Sequence, residues 1–517
     1  MNTENFYQKL TSRAKNPQYV FALALIIAGF CTVCYMLFLT DIYRDTAFVY
    51  ADHVRQFARG NWYEGIANQV PMLNITVAGF FAWLGLEPVK ALTLTAGLFF
   101  MAACFPLRSL LERYLSPTAA AWGCMLFVCA PKMIRFGCAA LLESSRIFFM
   151  LAAVLYFLRT AENPKLKNAV LFGGSAALMA AARGEGIVLT IVLLLGLPIY
   201  AGLFCRPVLW RKQFAAWAIS IVCALAAISP FCSMIYYRTG YFAPDSRVQI
   251  LLNMSQLFQQ PAKQPQQPAA EEKSEKAPAA PENTASSEDK TRKSLPEKAK
   301  HNFVCFIRGG YELYWLLAIL GAAVIFRKKQ WKHDYLLFAG ITVMYLLFYM
   351  IVVAAYRYYL FMIPLFMVFT VTGAGVLRDL AVKKLPVKLQ WLCIALCAAL
   401  AIGQIANGVS RAFSGKGKDF IAVGRWIEEY NKKHFPDRRL KLFAPKMSET
   451  AYWSKAFPTD GINGKPHNPA TFTEFDLAVV HRKRSFGLEK RSDLEQIPDT
   501  PHCKNIWIFK LKQQEKK

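Results

Sequence analysis

Five interruptions of an otherwise apolar chain bring carboxylates, cationic side chains and tyrosines close in sequence. Asp41, Tyr43, Asp45, Asp52 and His53 form the first, and Lys132, Arg135, Glu143 and Arg146 make up the second. Arg183-Gly184-Glu185-Gly186 is wedged between two apolar runs with almost no loop. Tyr237-Arg238 is the fourth, and Tyr356-Arg357-Tyr358-Tyr359, with Pro364 behind it, is the fifth. A carboxylate within hydrogen-bond reach takes a proton from a hydroxyl, and a guanidinium fork fits the oxygens of a phosphate. Acid–base and anion-binding chemistry is what these residue types offer. Each group alone also reads as an interfacial anchor, because charged and aromatic residues mark membrane ends. Arg183 and Glu185 resist that reading. Their turn is too short to carry them clear of the bundle, and a mid-membrane charge costs ~2.5–3.5 kcal/mol even on the lenient insertion scale. They are expected to line a water-filled cavity, paired with each other or with Asp45.

Membrane helices are the elements that must position these residues. Residues 19–39 carry no charged side chain, and they match the ~20 apolar residues that cross ~30 Å of hydrocarbon. Comparable runs recur near residues 91–107, 119–138, 145–158, 168–182, 186–204, 214–236, 311–326, 335–355, 359–377 and 390–409, about eleven candidate spans in all. The first run exceeds the ~7–15 residues of a signal-peptide core, and no small-x-small cleavage site follows before Asp41, so it reads as a retained signal-anchor.

A net charge of +27 suggests a nucleic-acid partner until its distribution is considered. Lys9, Arg13 and Lys15, then Arg108 and Arg113, Arg159, Lys165 and Lys167, Arg206, Arg211 and Lys212 fall in alternate loops. So do Arg327, Lys328, Lys329 and Lys332, and then Arg378, Lys383, Lys384 and Lys388. That asymmetry marks the cytoplasmic side of a multi-pass inner (cytoplasmic) membrane protein, and no nucleic acid is implied. With the N-terminus inside and eleven crossings, all five interruptions and everything after residue 410 face outward. The thirteen cysteines lie mainly within apolar runs without metal-ligand spacing and read as packing residues.

Residues 41–90 are the first external loop, in which Phe48, Val49, Val54, Phe57 and Ala58 share one helical face. An amphipathic helix over 46–59, lying on the outer membrane surface, is expected. The segment 256–301 is rich in Pro, Gln, Ala, Glu and Lys; it cannot bury enough apolar surface to offset ordering and is expected to be a disordered insertion. After residue 411 the pattern becomes that of a soluble domain. Phe420, Val423, Trp426, Ile427 and Tyr430 recur at helical spacing, and 440–444, 476–480 and 506–511 read as strands. The fold class is therefore an all-α polytopic membrane bundle over 1–410, with a small α/β extracytoplasmic (periplasmic) domain over 411–517.

Four segments give this order of features a resemblance to the GT-C superfamily of polytopic glycosyltransferases, in its bacterial branch of protein O-mannosyltransferase and aminoarabinose-transferase type. Arg44-Asp45-Thr46 with Tyr50 and Gly60-Asn61-Trp62 is similar to the family's acidic motif in the first external loop. Glu143 through Leu158 is similar to its acidic residue heading the fourth span, Arg183-Gly184-Glu185-Gly186 to its Arg-x-Glu-Gly turn, and Arg357-Tyr358-Tyr359 with Pro364 to its late Arg-Tyr segment. Two elements depart from the pattern: the element after the acidic motif is reduced to Val70-Pro71-Met72, and Thr46 replaces a second acid.

The resemblance implies transfer of a sugar from a polyprenyl-phosphate donor to an extracytoplasmic acceptor, whether glycan, lipid or protein. On that reading Asp45 is the candidate catalytic base, with Asp41 second. Arg357 and Arg183 are candidates for the donor phosphate, assisted by Lys132 or Arg135. Glu143, Glu185, Tyr358 and Tyr43 would orient the arginines or contact sugar and acceptor. No cofactor is read from the sequence, and nothing in it supports a divalent metal. The competing reading is a transporter or flippase of a lipid-linked sugar, for which one expects internal repeats with broken helices in matching halves; no convincing repeat relates residues 1–205 to 206–410.

Overall fold

As far as its residues are described, each of the eleven apolar runs folds as a helix, or as two helices meeting at a bend, in the computed structural model. The structure describes residues 12–40, 42–43, 45–66, 71–205, 210–240, 242–243, 295–351, 355–414, 418–436, 440–443, 457–458, 476–481, 494–497 and 506–511. The helices are α1 (Pro17–Phe38), α2 (Ala51–Ala58), α3 (Met72–Trp83), α4 (Pro88–Leu111), α5 (Pro117–Cys129), α6 (Pro131–Gly137), α7 (Glu143–Glu162) and α8 (Leu166–Ala182). They continue with α9 (Gly186–Phe204), α10 (Trp210–Thr239), α11 (Leu295–Gly309), α12 (Glu312–Arg327), α13 (Asp334–Ile351), α14 (Met367–Lys384), α15 (Val387–Val409) and α16 (Lys418–His434). Among the described residues six helices are long and apolar enough to cross a membrane, or nine if each bent pair is one span. α8 and α13 occupy the remaining two expected positions as shorter apolar helices.

Local chemistry sets the helix starts and breaks. α1, α4 and α5 each begin with proline behind a capping side chain: Asn16, Glu87 and Ser116 accept from backbone N–H groups of the first turn. Proline suits that position because its missing N–H would be unpartnered there anyway. The break between α5 and α6 has the same origin. Ala130 precedes Pro131, is driven out of helical geometry to ψ 119°, and the two helices meet at 66°. α11 and α12 meet at 85°, across Tyr311 with φ 65°.

α8 packs between α7 and α10, α4 lies against α7, and α12 lies against α14. The last pair is close-packed. Gly321 and Gly373 face each other's helix so closely that a Cβ on either would overlap the carbonyl oxygens of Phe369 and Leu317. Small residues that let backbones approach in this way are a common device of membrane helix pairs.

The first loop differs from its expected form. Thr46–Tyr50 is a π-helical turn running into α2, and the apolar side of α2 (Ala51, Val54, Phe57) is buried against Met72, Ile75 and Ala78 of α3. Protein thus covers much of the face expected to lie on lipid. The segment 256–301 also differs: α11 starts at Leu295 with Pro296 in its first turn, while 256–294 lie outside the described residues. Phe303, Phe306 and Ile307 beyond that stretch give the helix an apolar face, and Cys305 and Phe306 are buried.

In the C-terminal domain, α16 buries Val423 and Ile427 against Leu442, Leu477, Val479, Ile506 and Ile508. These come from a sheet of β1 (Lys441–Phe443), β2 (Phe457–Pro458), β3 (Leu477–His481), β4 (Leu494–Gln496) and β5 (Ile506–Leu511), in the order β2-β1-β3-β5-β4. β1 is parallel to β2 and β3, and β5 is antiparallel to β3 and β4. Three strands match the expected ones; β2 and β4 are additions.

Candidate functional site

Helix ends deliver the charged residues, and the sign of each suits its end. Glu143 opens α7 and Glu185 caps the start of α9, where unpaired N–H groups favour an anion. Arg183 caps the end of α8, where unpaired carbonyls favour a cation. The Arg183–Glu185 turn is locked by Gly186: a Cβ there would overlap the Met179 carbonyl of α8. Arg357 and Tyr358 sit in a 3₁₀ turn, Tyr356–Tyr359, and Asp45 caps the π-helical turn of the first loop.

These ends converge. Arg183 donates through Nη1 to Glu143 Oε1 and through Nε to Glu185 Oε2, both at 2.9 Å. Its guanidinium lies 4.3 Å from the centre of the Tyr358 ring. Arg357 Nη2 meets Asp45 Oδ2 at 2.5 Å, and its Nε stands 3.7 Å from the same Glu143 oxygen. One oxygen of Glu143 therefore links both arginines, joining residues from four separate segments.

A third arginine backs the cluster. Arg146, one helical turn after Glu143, is 3% exposed; it donates to Tyr349 Oη at 3.2 Å and lies against Tyr345 and Phe361. Tyr50 is part of the surroundings too: burial raises its pKa, and Asp45 and Glu143 raise it further. Burial pushes the Glu185 carboxyl up, but Arg183 and Arg146 outweigh it and hold the pKa at about 2. Glu185 is thus an anion throughout the physiological range. Among the described residues three carboxylates face three guanidiniums, so their formal charges balance. It is also incomplete: Glu143 Oε2, Ser144 Oγ and Arg146 Nε and Nη2 are buried without a hydrogen-bond partner among the described residues. Buried polar atoms of this kind are costly, and they are where a polar ligand gains most.

Of the residues singled out from sequence, Asp45, Glu143, Arg183, Glu185, Arg357 and Tyr358 meet here, and Arg183 pairs with Glu185 while Asp45 pairs with Arg357. Lys132 is elsewhere. It binds Glu312 at 3.5 Å and the Arg308 carbonyl at the α11–α12 bend. Arg135 reaches Asn407 of α15 at 3.5 Å. Tyr43 packs on Phe136 beneath Arg411, whose guanidinium is 3.6 Å from the ring centre. Asp41 lies outside the described residues. Arg238 staples the first loop, donating to the carbonyls of Tyr63 and Glu64 at 3.0 and 3.1 Å and to that of Ile66. Sequence reasoning noted Arg146 but gave it no role; its spacing of three from Glu143 on one helix was the available signal. Among the described residues no three His, Cys, Asp or Glu side chains gather as a metal site requires.

No family model matches the chain, and no curated protein matches it in sequence. Solved structures do match in fold. ArnT from Cupriavidus metallidurans bound to undecaprenyl phosphate aligns with a TM-score of 0.60 at 13% identity, over 94% of this chain and 97% of that one. Its apo state aligns with a TM-score of 0.61 at 12% identity over the same shares. The oligosaccharyltransferase of Archaeoglobus fulgidus, tethered to an acceptor peptide containing the NVT sequon, aligns at 0.51 and 11% identity, over 86% of this chain and 63% of that one. These are GT-C glycosyltransferases, and the chain has their fold.

Proposed function

We propose that the chain is a multi-pass membrane glycosyltransferase that moves a sugar from a polyprenyl-phosphate donor to an extracytoplasmic acceptor: a lipid, a glycan or a protein. The observation that carries the reading is the Asp45–Arg357 pair at 2.5 Å. It sets a proton acceptor and a phosphate-matching cation side by side, next to the buried Glu143, Arg146 and Arg183. The acceptor hydroxyl gives its proton to Asp45 as its oxygen bonds to the anomeric carbon. The bond from that carbon to the donor phosphate breaks, and its electron pair leaves on the phosphate oxygen. Arg357, backed by Arg183, stabilises the charge that grows there. Glu143 and Glu185 keep the two guanidiniums in place, and the orphaned Glu143 oxygen accepts from a sugar hydroxyl.

A lipid donor fits a site built at helix ends, because its prenyl chain stays in the bilayer while its head group reaches the charges. The structural neighbour crystallised with undecaprenyl phosphate supports that donor class. The alternation of basic loops supports an inner-membrane protein with this site and the C-terminal domain on the extracytoplasmic side. The lack of a convincing sequence repeat relating residues 1–205 to 206–410 favours transfer over transport.

The test is Asp45→Asn in purified protein with undecaprenyl-phosphate sugars. Loss of a general base lowers kcat roughly 10²–10⁴-fold. Full transfer by this variant would remove Asp45 as the base.

A further inference from the structure

Arg183 and Arg357 share one oxygen of Glu143, but they are not held alike. Arg183 is gripped by two carboxylates at 2.9 Å each, Glu143 buried and Glu185 partly exposed, and is covered by Tyr358. Arg357 has one close partner, Asp45, and the Asp45 side chain is 40% exposed. Its second partner, Glu143, stands at 3.7 Å, beyond good hydrogen-bond reach. Arg146 is sealed beneath Tyr345 and Phe361.

A phosphate entering this charge-balanced cluster competes with the carboxylates for the cation it binds. On Arg183 it would strand two carboxylates in a low-dielectric setting, which is strongly unfavourable. On Arg357 it displaces only Asp45, a half-open side chain that rotates back towards water at small cost. Arginine geometry then favours the phosphate, which offers two oxygens to the planar fork.

We infer that the donor phosphate takes the place of Asp45 on Arg357, and that this exchange is what frees the Asp45 carboxylate to act as base. The inference rests on the glycosyltransferase reading and deepens it. Without donor, Asp45 Oδ2 is engaged by the guanidinium, and an acceptor hydroxyl that arrives first meets a carboxylate held by that cation. Donor binding therefore precedes proton transfer. Arg357 is the residue that touches phosphate, and Arg183 is a positioning residue that acts through Glu143 and Tyr358.

The experiment measures binding of undecaprenyl phosphate, without sugar, to the full-length protein in nanodiscs. Removing the internal competitor makes Asp45→Asn and Asp45→Ala bind the lipid more tightly than the unmodified protein, by roughly three- to tenfold for a partly exposed pair. In an Arg357→Gln background the same Asp45 substitutions leave affinity unchanged. The unmodified protein gives a second readout: carbodiimide labelling of Asp45, followed by peptide mass spectrometry, rises when undecaprenyl phosphate is added. Unchanged or weaker binding by both Asp45 variants, alongside clear binding by the unmodified protein, overturns the exchange and leaves the transferase reading standing. So does labelling that fails to rise. Absence of binding by the unmodified protein removes the donor class itself, and the exchange with it.

Discussion

The two ends of α7 carry ion networks built from similar residues and completed differently. At the C-terminal end, Glu162 accepts from Arg113 at 2.5 and 3.0 Å, and the same guanidinium meets Asp334 at 3.2 Å. Asp334 also accepts from Tyr114 at 2.6 Å and Tyr200 at 2.7 Å. Hydroxyls from two other segments thus finish the carboxylate, and among the described residues Arg113 Nε is the one buried side-chain nitrogen or oxygen there without a partner. At the N-terminal end Glu143 shares one oxygen between two arginines, its other oxygen and two nitrogens of Arg146 have no hydrogen-bond partner among the described residues, and Asp45 is 40% exposed. A network closed by its own hydroxyls is a clamp. One left open, with its charges balanced, is built to receive something else.

The strongest challenge to that contrast is Arg183→Ala. It strands Glu143 and Glu185 together, and breaking a buried pair in this way costs about 3–5 kcal/mol. A large fall in melting temperature together with loss of transfer is expected; an unchanged melting temperature would break the description of Arg183 as the fixed member. Next is Arg357→Lys. Lysine keeps the charge but loses the planar fork, so turnover should fall by roughly tenfold or more, with stability within about 1 kcal/mol of the parent because the pair is partly exposed. Kinetics equal to the parent's would take the phosphate away from Arg357. At the clamp, Tyr200→Phe deletes one donor to Asp334 and should lower stability by about 1.5 kcal/mol while kcat stays unchanged. A selective loss of kcat would show that the clamp end takes part in the reaction.

The smallest effect is one of pH. The folded pKa of Glu185, about 2, lies below its ordinary 4.5. Its contribution to stability is complete above pH 4.5 and is lost as pH falls towards 2. Melting temperature should decline across that window in the parent and less steeply in Glu185→Gln. Equal slopes would mean that Arg183 and Arg146 do not hold the carboxylate as described.

Much of the bundle was legible because run length and charge are local properties. The Arg183–Glu185 pair was legible for the same reason, since no turn that short could release it from the helices. Which distant cation each loop residue would choose was not. Lys132 and Arg135 sit one helical turn apart on α6, yet one turns to Glu312 and the other to Asn407. Spacing gives a face, whereas the partner depends on where α12 and α15 lie relative to α6. Arg146 was seen without a role because an arginine at the start of an apolar run looks the same whether it anchors the interface or faces inward. β2 and β4 escaped because two or three residues carry no measurable period.

The glycine contact between α12 and α14 has a mechanical corollary. With Gly321 and Gly373 in backbone contact, those helices are expected to shift as one block. The turn bearing Arg357 leads directly into that block, and Gly309 of α11 is wedged against Tyr359. Opposite it stands a single π-helical turn. Any travel needed to part the two charges therefore falls to the first loop, with the arginine serving as the stationary jaw.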